Sequence, residues 1–484
     1  MMLSPLTTSL LASLISTTLA VPTSNYIDWK TFKATGVNLG GWLVQEAVID
    51  PVFWAQYAGN ATDEWGLCTH LATQCGPVLE KRYATFITPS DIDLLASSGA
   101  TILRIPTSYA AWVKVPGSQL YSGNQVSYLK TITTYAITKY NMHIIIDVHS
   151  LPGGVNGMGF GEADGHFGWF NNQTALTYSY AVIDAVIAYV QGSGFPQFYT
   201  IEPINEPVDN PNLVDFGQPA ALSDSGAAWV LKYIQGVLAK VKAVNAKIPV
   251  MFQGSFKGEA YWSANFPTGT NLVFDVHNYY FAGRPTDSNT VSADICADAK
   301  ASVGDGKFPV FIGEWSIQTV SNNLFATRRK NLNTGLYAFA KYDHGSAYWT
   351  AKFSGNVPVE GQGVQGDYWN YEGFVGLGYV NASEGAAYCS LVLTPTQIPV
   401  PLTNPDFHHR TSDPHPGTQN PAAPSLSHDV AGPCGILMRG RYPRGVAAEI
   451  EDTAEERPQS RDAADDQADA VFSVAPDEDV GDTD

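Results

Sequence analysis

Eight short apolar runs, each followed by a longer segment, constrain most strongly what this chain can fold into. The runs lie at residues 36–42, 101–106, 143–149, 198–207, 249–255, 271–280, 308–316 and 345–353. They are continuously apolar rather than alternating, which marks strands buried on both faces, as in a parallel sheet. Helical spacing fills the segments at 89–99, 125–140, 174–192, 220–246 and 322–342. Pro89-Ser90-Asp91 reads as a helix start and Gly99 as its stop. Eight such units predict an α/β fold, a (β/α)8 TIM barrel with long loops at its C-terminal face. A chain of 484 residues, 44% of them hydrophobic, can bury the core this needs.

A barrel of this kind carries its chemistry at the C-terminal ends of its strands. Polar residues recur at those positions. They are Arg104, Asp147 and His149, Asn205 and Glu206, His277, Asn278 and Tyr279, Glu314, then Trp349 and Lys352. Two of them stand out. The stretch 201–207, IEPINEP, presents Glu206 beside an amide, and about a hundred residues later FPVFIGEW presents Glu314. Two carboxylates facing each other are the minimal apparatus for cleaving a glycosidic bond: one protonates the leaving oxygen while the other attacks the anomeric carbon. Asn205 is placed to bond a sugar 2-hydroxyl, Tyr279 to donate to a carboxylate, and Arg104 to keep Glu314 ionised. The loops 51–81, 152–172 and 357–371, rich in Gly and aromatics, are expected to build the pocket. Gly153-Gly154-Val155-Asn156-Gly157 lacks the helix and Lys of a phosphate loop.

The net charge of −19 argues against nucleic acid as a partner. Residues 449–484 hold 14 acidic and 2 basic side chains, a local charge of −12, so most of the excess sits at the end of the chain. Composition divides the chain into a signal peptide at 1–20, a barrel domain at 21–404 and a disordered tail at 405–484, Pro-rich and then acidic. The first 20 residues are too short and too rich in Ser and Thr to span a bilayer, so a secreted protein without a membrane segment is expected. Five cysteines, Cys68, Cys75, Cys296, Cys389 and Cys434, suggest disulfides with one thiol left over; their spacing does not fit a zinc site. Sequons begin at Asn60, Asn172 and Asn381.

GVNLGGWL (36–43), LRIP (103–106), DVHSLPGGVNG (147–157), NEP (205–207), HNYY (277–280) and IGEW (312–315) resemble glycoside hydrolase family 5, in particular fungal exo-β-1,3-glucanases (glucan 1,3-β-glucosidases). The resemblance runs through residues 26–390 in one order. It implies a retaining barrel enzyme with Glu206 as acid/base and Glu314 as nucleophile. It also implies that Arg104, His149, Asn205, His277, Tyr279 and Trp349 line the subsite of the sugar being cleaved, and that Cys296 pairs with Cys389, Cys68 with Cys75, leaving Cys434 odd. Three positions depart from the family pattern. The third-strand motif usually reads close to DLHGAPGSQNG; Met158 stands where an entrance Phe is expected, with Phe281 and Ala282 blurring a second; and strand eight reads YWTAKF where a second Trp is common. The expected function is hydrolysis of a β-1,3-glucan polysaccharide or oligosaccharide from its non-reducing end, by a monomer without metal or organic cofactor. Endo action, β-1,6 specificity, transglucosylation and non-catalytic glucan binding remain open alternatives.

Overall fold

The strands close on themselves in sequence order. They are β1 (Ala34–Asn38), β2 (Ile102–Thr107), β3 (His143–Val148), β4 (Tyr199–Glu202), β5 (Val250–Gln253), β6 (Leu272–Tyr280), β7 (Val310–Thr319) and β8 (Gly345–Tyr348). Each pairs in parallel with the next, and β1 pairs with β8, giving the closed barrel that the alternating pattern predicts. This computed structural model describes residues 25–390. The signal peptide expected at 1–20, the tail expected at 405–484 and Cys434 lie outside the described residues.

Side chains alternate across each strand. Leu103, Ile105, Ile144 and Ile146 point outward into the main core, where each fully buried aliphatic side chain contributes about 1.5–3 kcal/mol. The intervening Ala34, Ile102, Ile145, Met251, Val273, Phe311 and Ala347 form a separate interior cluster, closed by Ile27 and Trp29. Trp29 donates its indole N–H to Thr200 Oγ1 at 3.0 Å. Two residues further along, the strands place Arg104, Asp147, Glu202, Gln253 and Asp275, all buried. The barrel is thus apolar at its N-terminal end and charged toward its C-terminal end.

Helices Gln125–Tyr140, Gln173–Gly192, Asp224–Asn245, Val291–Ser302 and Arg328–Tyr342 cover the outside. Helix Pro89–Ser97 begins as expected, with a reciprocal cap: the Thr88 N–H donates to Asp91 Oδ2 at 2.7 Å. The regular alternation fails after β5, where a single turn, Glu259–Trp262, replaces a full helix. Between β1 and β2 three further helices, Pro51–Tyr57, Glu64–Leu71 and Cys75–Thr85, occupy the long loop.

Several expected strands were too long. β4 ends at Glu202 because Pro203 and Pro207 lack the N–H a ladder needs, and β8 ends at Tyr348. His149, Asn205, Glu206, Trp349 and Lys352 therefore sit just past strand ends rather than on strands. Both disulfides implied by the resemblance are present: Cys68–Cys75 within the β1–β2 loop, and Cys296–Cys389 joining helix Val291–Ser302 to Ala386–Ser390. Asn60, Asn172 and Asn381 are all exposed. Among the described residues no helix is long and apolar enough to cross a membrane.

Candidate active site

Arg104 is the centre of the site. Its side chain is fully buried, and its planar fork of donors is almost completely used. Nε and Nη2 reach Glu202 at 2.7 and 3.0 Å, Nη2 also reaches Asn205 Oδ1 at 2.9 Å and Asp147 at 3.1 Å, and Nη1 reaches Glu314 at 2.7 Å and Asn38 Oδ1 at 3.1 Å. One guanidinium from β2 therefore fixes groups from β1, β3, β4, the turn after β4, and β7.

A bulge delivers Glu314. Val276 pairs with Ile312, but His277 pairs with Glu314, so Gly313 is the extra residue. Phe311 points inward; strict alternation would turn Glu314 outward, and the bulge turns it back in. Only glycine fits, since a Cβ at 313 would lie 2.1 Å from Asp275 Oδ2. Glu314 then receives Arg104 on Oε1 and the Tyr279 hydroxyl on Oε2 at 2.8 Å. Burial pushes its carboxyl above the ordinary range and Glu206 adds to the push, while His277 and Arg104 pull it back. Arg104 favours the ionised form of Glu314, as expected, but it is shared among several carboxylates and burial outweighs its pull.

Glu206 comes from the turn after β4, where its own φ of +43° lies in the left-handed region. Its Oε1 meets His277 Nδ1 at 2.8 Å, and the same nitrogen lies 3.6 Å from Glu314 Oε2. The ligating atoms of Glu206, His277 and Glu314 all fall within 4.8 Å of one another. His277 turns its other nitrogen to Asp275 Oδ2 at 3.0 Å. Burial opposes charge on this imidazole, yet Glu314 and Asp275 hold it well above the ordinary histidine value. His149 follows the same pattern: burial would lower it, but Asp147, 2.6 Å from Nδ1, carries it upward. Asn205 Nδ2 faces His149 Nε2 at 3.4 Å, and Trp349 stacks on the His149 ring with centroids 5.8 Å apart.

Arg104, His149, Asn205, Glu206, His277, Tyr279, Glu314 and Trp349 thus gather at one end of the barrel. Lys352 does not join them; it turns outward to Asp91 and the Phe86 carbonyl, each at 2.7 Å. Four participants carried no expected role. Asn38, Glu202 and Asp275 follow the inward alternation of their strands, which was a usable signal. Glu46, from the β1 loop, had none. It is buried, both its carboxyl oxygens lack a hydrogen bond among the described residues, and burial beside Glu314 and Glu206 pushes it up to about 8, against the pull of His149. Of possible cation holders, Glu202–Asp275–His277 and Glu206–His277–Glu314 are compact enough, but Arg104 already binds Glu202 and Glu314.

A cavity of about 320 Å³ opens beside Glu206, lined by Phe216, Phe256, His277, Tyr279 and Phe281. Met158, at the expected entrance position, is instead buried in a loop cluster with Val44, Phe160, Val208 and Phe216. Phe281 packs against Tyr279 and Trp369 at 5.3 Å each. A larger cavity, about 690 Å³, lies behind the Cys68–Cys75 disulfide and contains none of the residues gathered around Arg104.

A closed (β/α)8 barrel with two glutamates meeting over its C-terminal end is the architecture of a barrel glycosidase. Residues 57–355 match the family described as Cellulase (glycosyl hydrolase family 5), and the chain belongs to that family. It is similar to a probable glucan 1,3-beta-glucosidase A of Aspergillus niger, with 31% identity over 60% of this chain and 67% of that protein. It is also similar to glucan 1,3-beta-glucosidase 1 of Schizosaccharomyces pombe, with 27% identity over 70% of this chain and 88% of that protein. Among solved structures it is similar to rutinosidase from Aspergillus niger, with 61% identity and a TM-score of 0.73 over 74% of this chain and 100% of that one. A second, AoRut, is 64% identical with the same TM-score over 74% of this chain and 99% of that one.

Proposed function

We propose that the chain is a secreted, exo-acting β-glycosidase that works with retention, Glu206 serving as acid/base and Glu314 as nucleophile. The observation that carries this reading is the close approach of the two carboxyls, with oxygens within 4.8 Å across His277. That spacing suits a covalent mechanism; an inverting pair needs about 6.5–9.5 Å to admit a water between carboxylate and sugar. In the first step Glu314 attacks the anomeric carbon while Glu206 gives its proton to the leaving oxygen. In the second, Glu206 takes a proton from water as the water displaces Glu314. Arg104 and Tyr279 orient the attacking carboxylate. Asn205, His149 and Trp349 flank the sugar, with the Asn205 amide, held by Arg104, turned to bond the 2-hydroxyl. A signal peptide at 1–20, a catalytic domain at 21–404, an acidic tail at 405–484 and two disulfides suit an extracellular monomer.

The substrate we favour is a rutinoside, a β-linked glucose carrying a second sugar on its 6-hydroxyl. Identity of 61–64% to the rutinosidase and to AoRut supports it, against about 30% to the glucan 1,3-beta-glucosidases. The cavity beside Glu206 mixes Phe216, Phe256 and Phe281 with Gln218, Asn278, Arg284 and Asp298, which suits a leaving group that carries both a ring face and hydroxyls. Exo hydrolysis of β-1,3-glucan is the second reading, supported by those glucosidase relatives. Rates on an aryl β-rutinoside, the matching β-glucoside, laminarin and a β-1,6-glucan separate the two. Glu314→Gln should lose activity on every one of them by several orders of magnitude; near-native turnover would refute the assignment.

A further inference from the structure

We propose that Asp275 is a positioning residue for acid catalysis: acting through His277, it keeps a proton available at the oxygen of Glu206. The inference rests on the reading of Glu206 as acid/base.

Its basis is an unbroken chain of buried contacts. The Gly313 N–H donates to Asp275 Oδ1 at 2.5 Å, Asp275 Oδ2 meets His277 Nε2 at 3.0 Å, and His277 Nδ1 meets Glu206 Oε1 at 2.8 Å. The Asp275 and His277 side chains are fully buried, so no water competes for either ring nitrogen. The bulge that turns Glu314 inward also supplies the N–H that anchors Asp275, so both reactive carboxyls depend on one backbone irregularity.

The chemistry follows from the imidazole. With Asp275 ionised, Nε2 carries a hydrogen, and Nδ1 is left to share one proton with Glu206. That proton can sit on the carboxyl, ready for the leaving oxygen, or on the ring, which returns it. Were Nε2 bare, Nδ1–H would only donate to Glu206, and the proton needed for catalysis would be missing. The groups facing this ring and Asp275 come from the neighbouring elements: Arg104 from β2, 3.8 Å from Asp275; Glu202 from β4; Glu206 after it; and Glu314 from β7; Glu46 from the β1 loop acts on Glu206 and Glu314. Burial raises Glu202 far above the carboxylate range, whereas His277 and Arg104 hold Asp275 below it despite its burial. Asp275, which takes the Gly313 N–H on one oxygen and faces His277 Nε2 with the other, is thereby favoured in its ionised form.

The test is kcat/KM against pH for the wild type and Asp275→Asn on two β-glucosides, one with an alkyl leaving group and one with 2,4-dinitrophenolate, which departs without protonation. An asparagine would turn its amide N–H toward Nε2 and force the wrong tautomer. The expected result is a loss of about 10- to 100-fold on the alkyl glucoside, little change on the dinitrophenyl glucoside, and a basic limb moved toward acid by about one unit. Equal loss on both substrates with an unmoved limb would reduce Asp275 to a packing role. Glu206→Gln on the same pair separates the two claims: if it shows no leaving-group dependence, the acid/base reading itself fails. Should Asp275→Asn not fold, the ¹⁵N spectrum of the histidine-labelled wild-type protein, with His277 assigned by His277→Asn, decides. A hydrogen on Nε2 across pH 5–7 is expected, and a bare Nε2 overturns the proposal.

Discussion

Arg104 shows how one residue organises a site. It is fully buried, and the carboxylates of Asp147, Glu202 and Glu314 all lie within 3.1 Å of its nitrogens. Removing it leaves several buried negative charges facing one another, so Arg104→Met should lower stability by about 3–5 kcal/mol, as read from chemical denaturation. A smaller loss would mean that the carboxylates hold more protons than their geometry suggests. Glu314 carries the pH consequence. Its carboxyl is raised, chiefly by burial, and as the proposed nucleophile it has to be ionised. The acid limb of kcat/KM should therefore lie above the ordinary carboxylate range, with activity falling as pH drops through it. A limb at the value of a free carboxyl would contradict this. The identities of these residues were legible from their places at strand ends. What the sequence could not disclose was the depth of burial, which outweighs the pull of Arg104 on Glu314.

At the scale of elements, the β6–β7 pairing and the two disulfides matter most. Runs of apolar residues located all eight strands, but the bulge at Gly313 was not visible in them, because it exists only relative to β6. Nor did the runs show where strands stop: β4 and β8 end several residues early, which places Glu206 and Trp349 on turns. The disulfides differ in what they close. Cys296–Cys389 spans 93 residues, whereas Cys68–Cys75 spans 7. Constraint on the unfolded chain grows with loop length. Cys296→Ser should cost about 2–5 kcal/mol and Cys68→Ser less, measured by urea denaturation of the separate variants. The reverse order would show that local packing, not chain entropy, dominates these cross-links.

Across the whole molecule, the barrel is polarised along its axis, yet its apolar end also buries an ionisable group. At the N-terminal end Asp343 is 1% exposed, and neither of its carboxyl oxygens finds a hydrogen bond among the described residues. Lys33 donates instead to the Asp343 backbone carbonyl. Burial pushes this carboxyl up to about 8, with Lys33 opposing. The folded state keeps a proton that the unfolded chain releases near pH ~4, so stability falls as pH rises from there to about 8 and then levels. Asp343→Asn removes that slope, and its advantage over the wild type should grow between pH 5 and 9 in urea midpoints; a constant offset would count against the assignment. The eight continuous apolar runs, the helical segments between them and the strand-end polar residues determined the barrel and most of the residues around Arg104, because hydrophobic runs and helical spacing are local in the chain. Tertiary structure alone decided that Gly313 bulges, that Asp275 backs His277, that Lys352 turns away and that Glu46 is buried beside Glu206 and Glu314. Those outcomes depend on distances between segments far apart in sequence, and no single stretch of chain carries the electrostatic field in which its own side chains titrate.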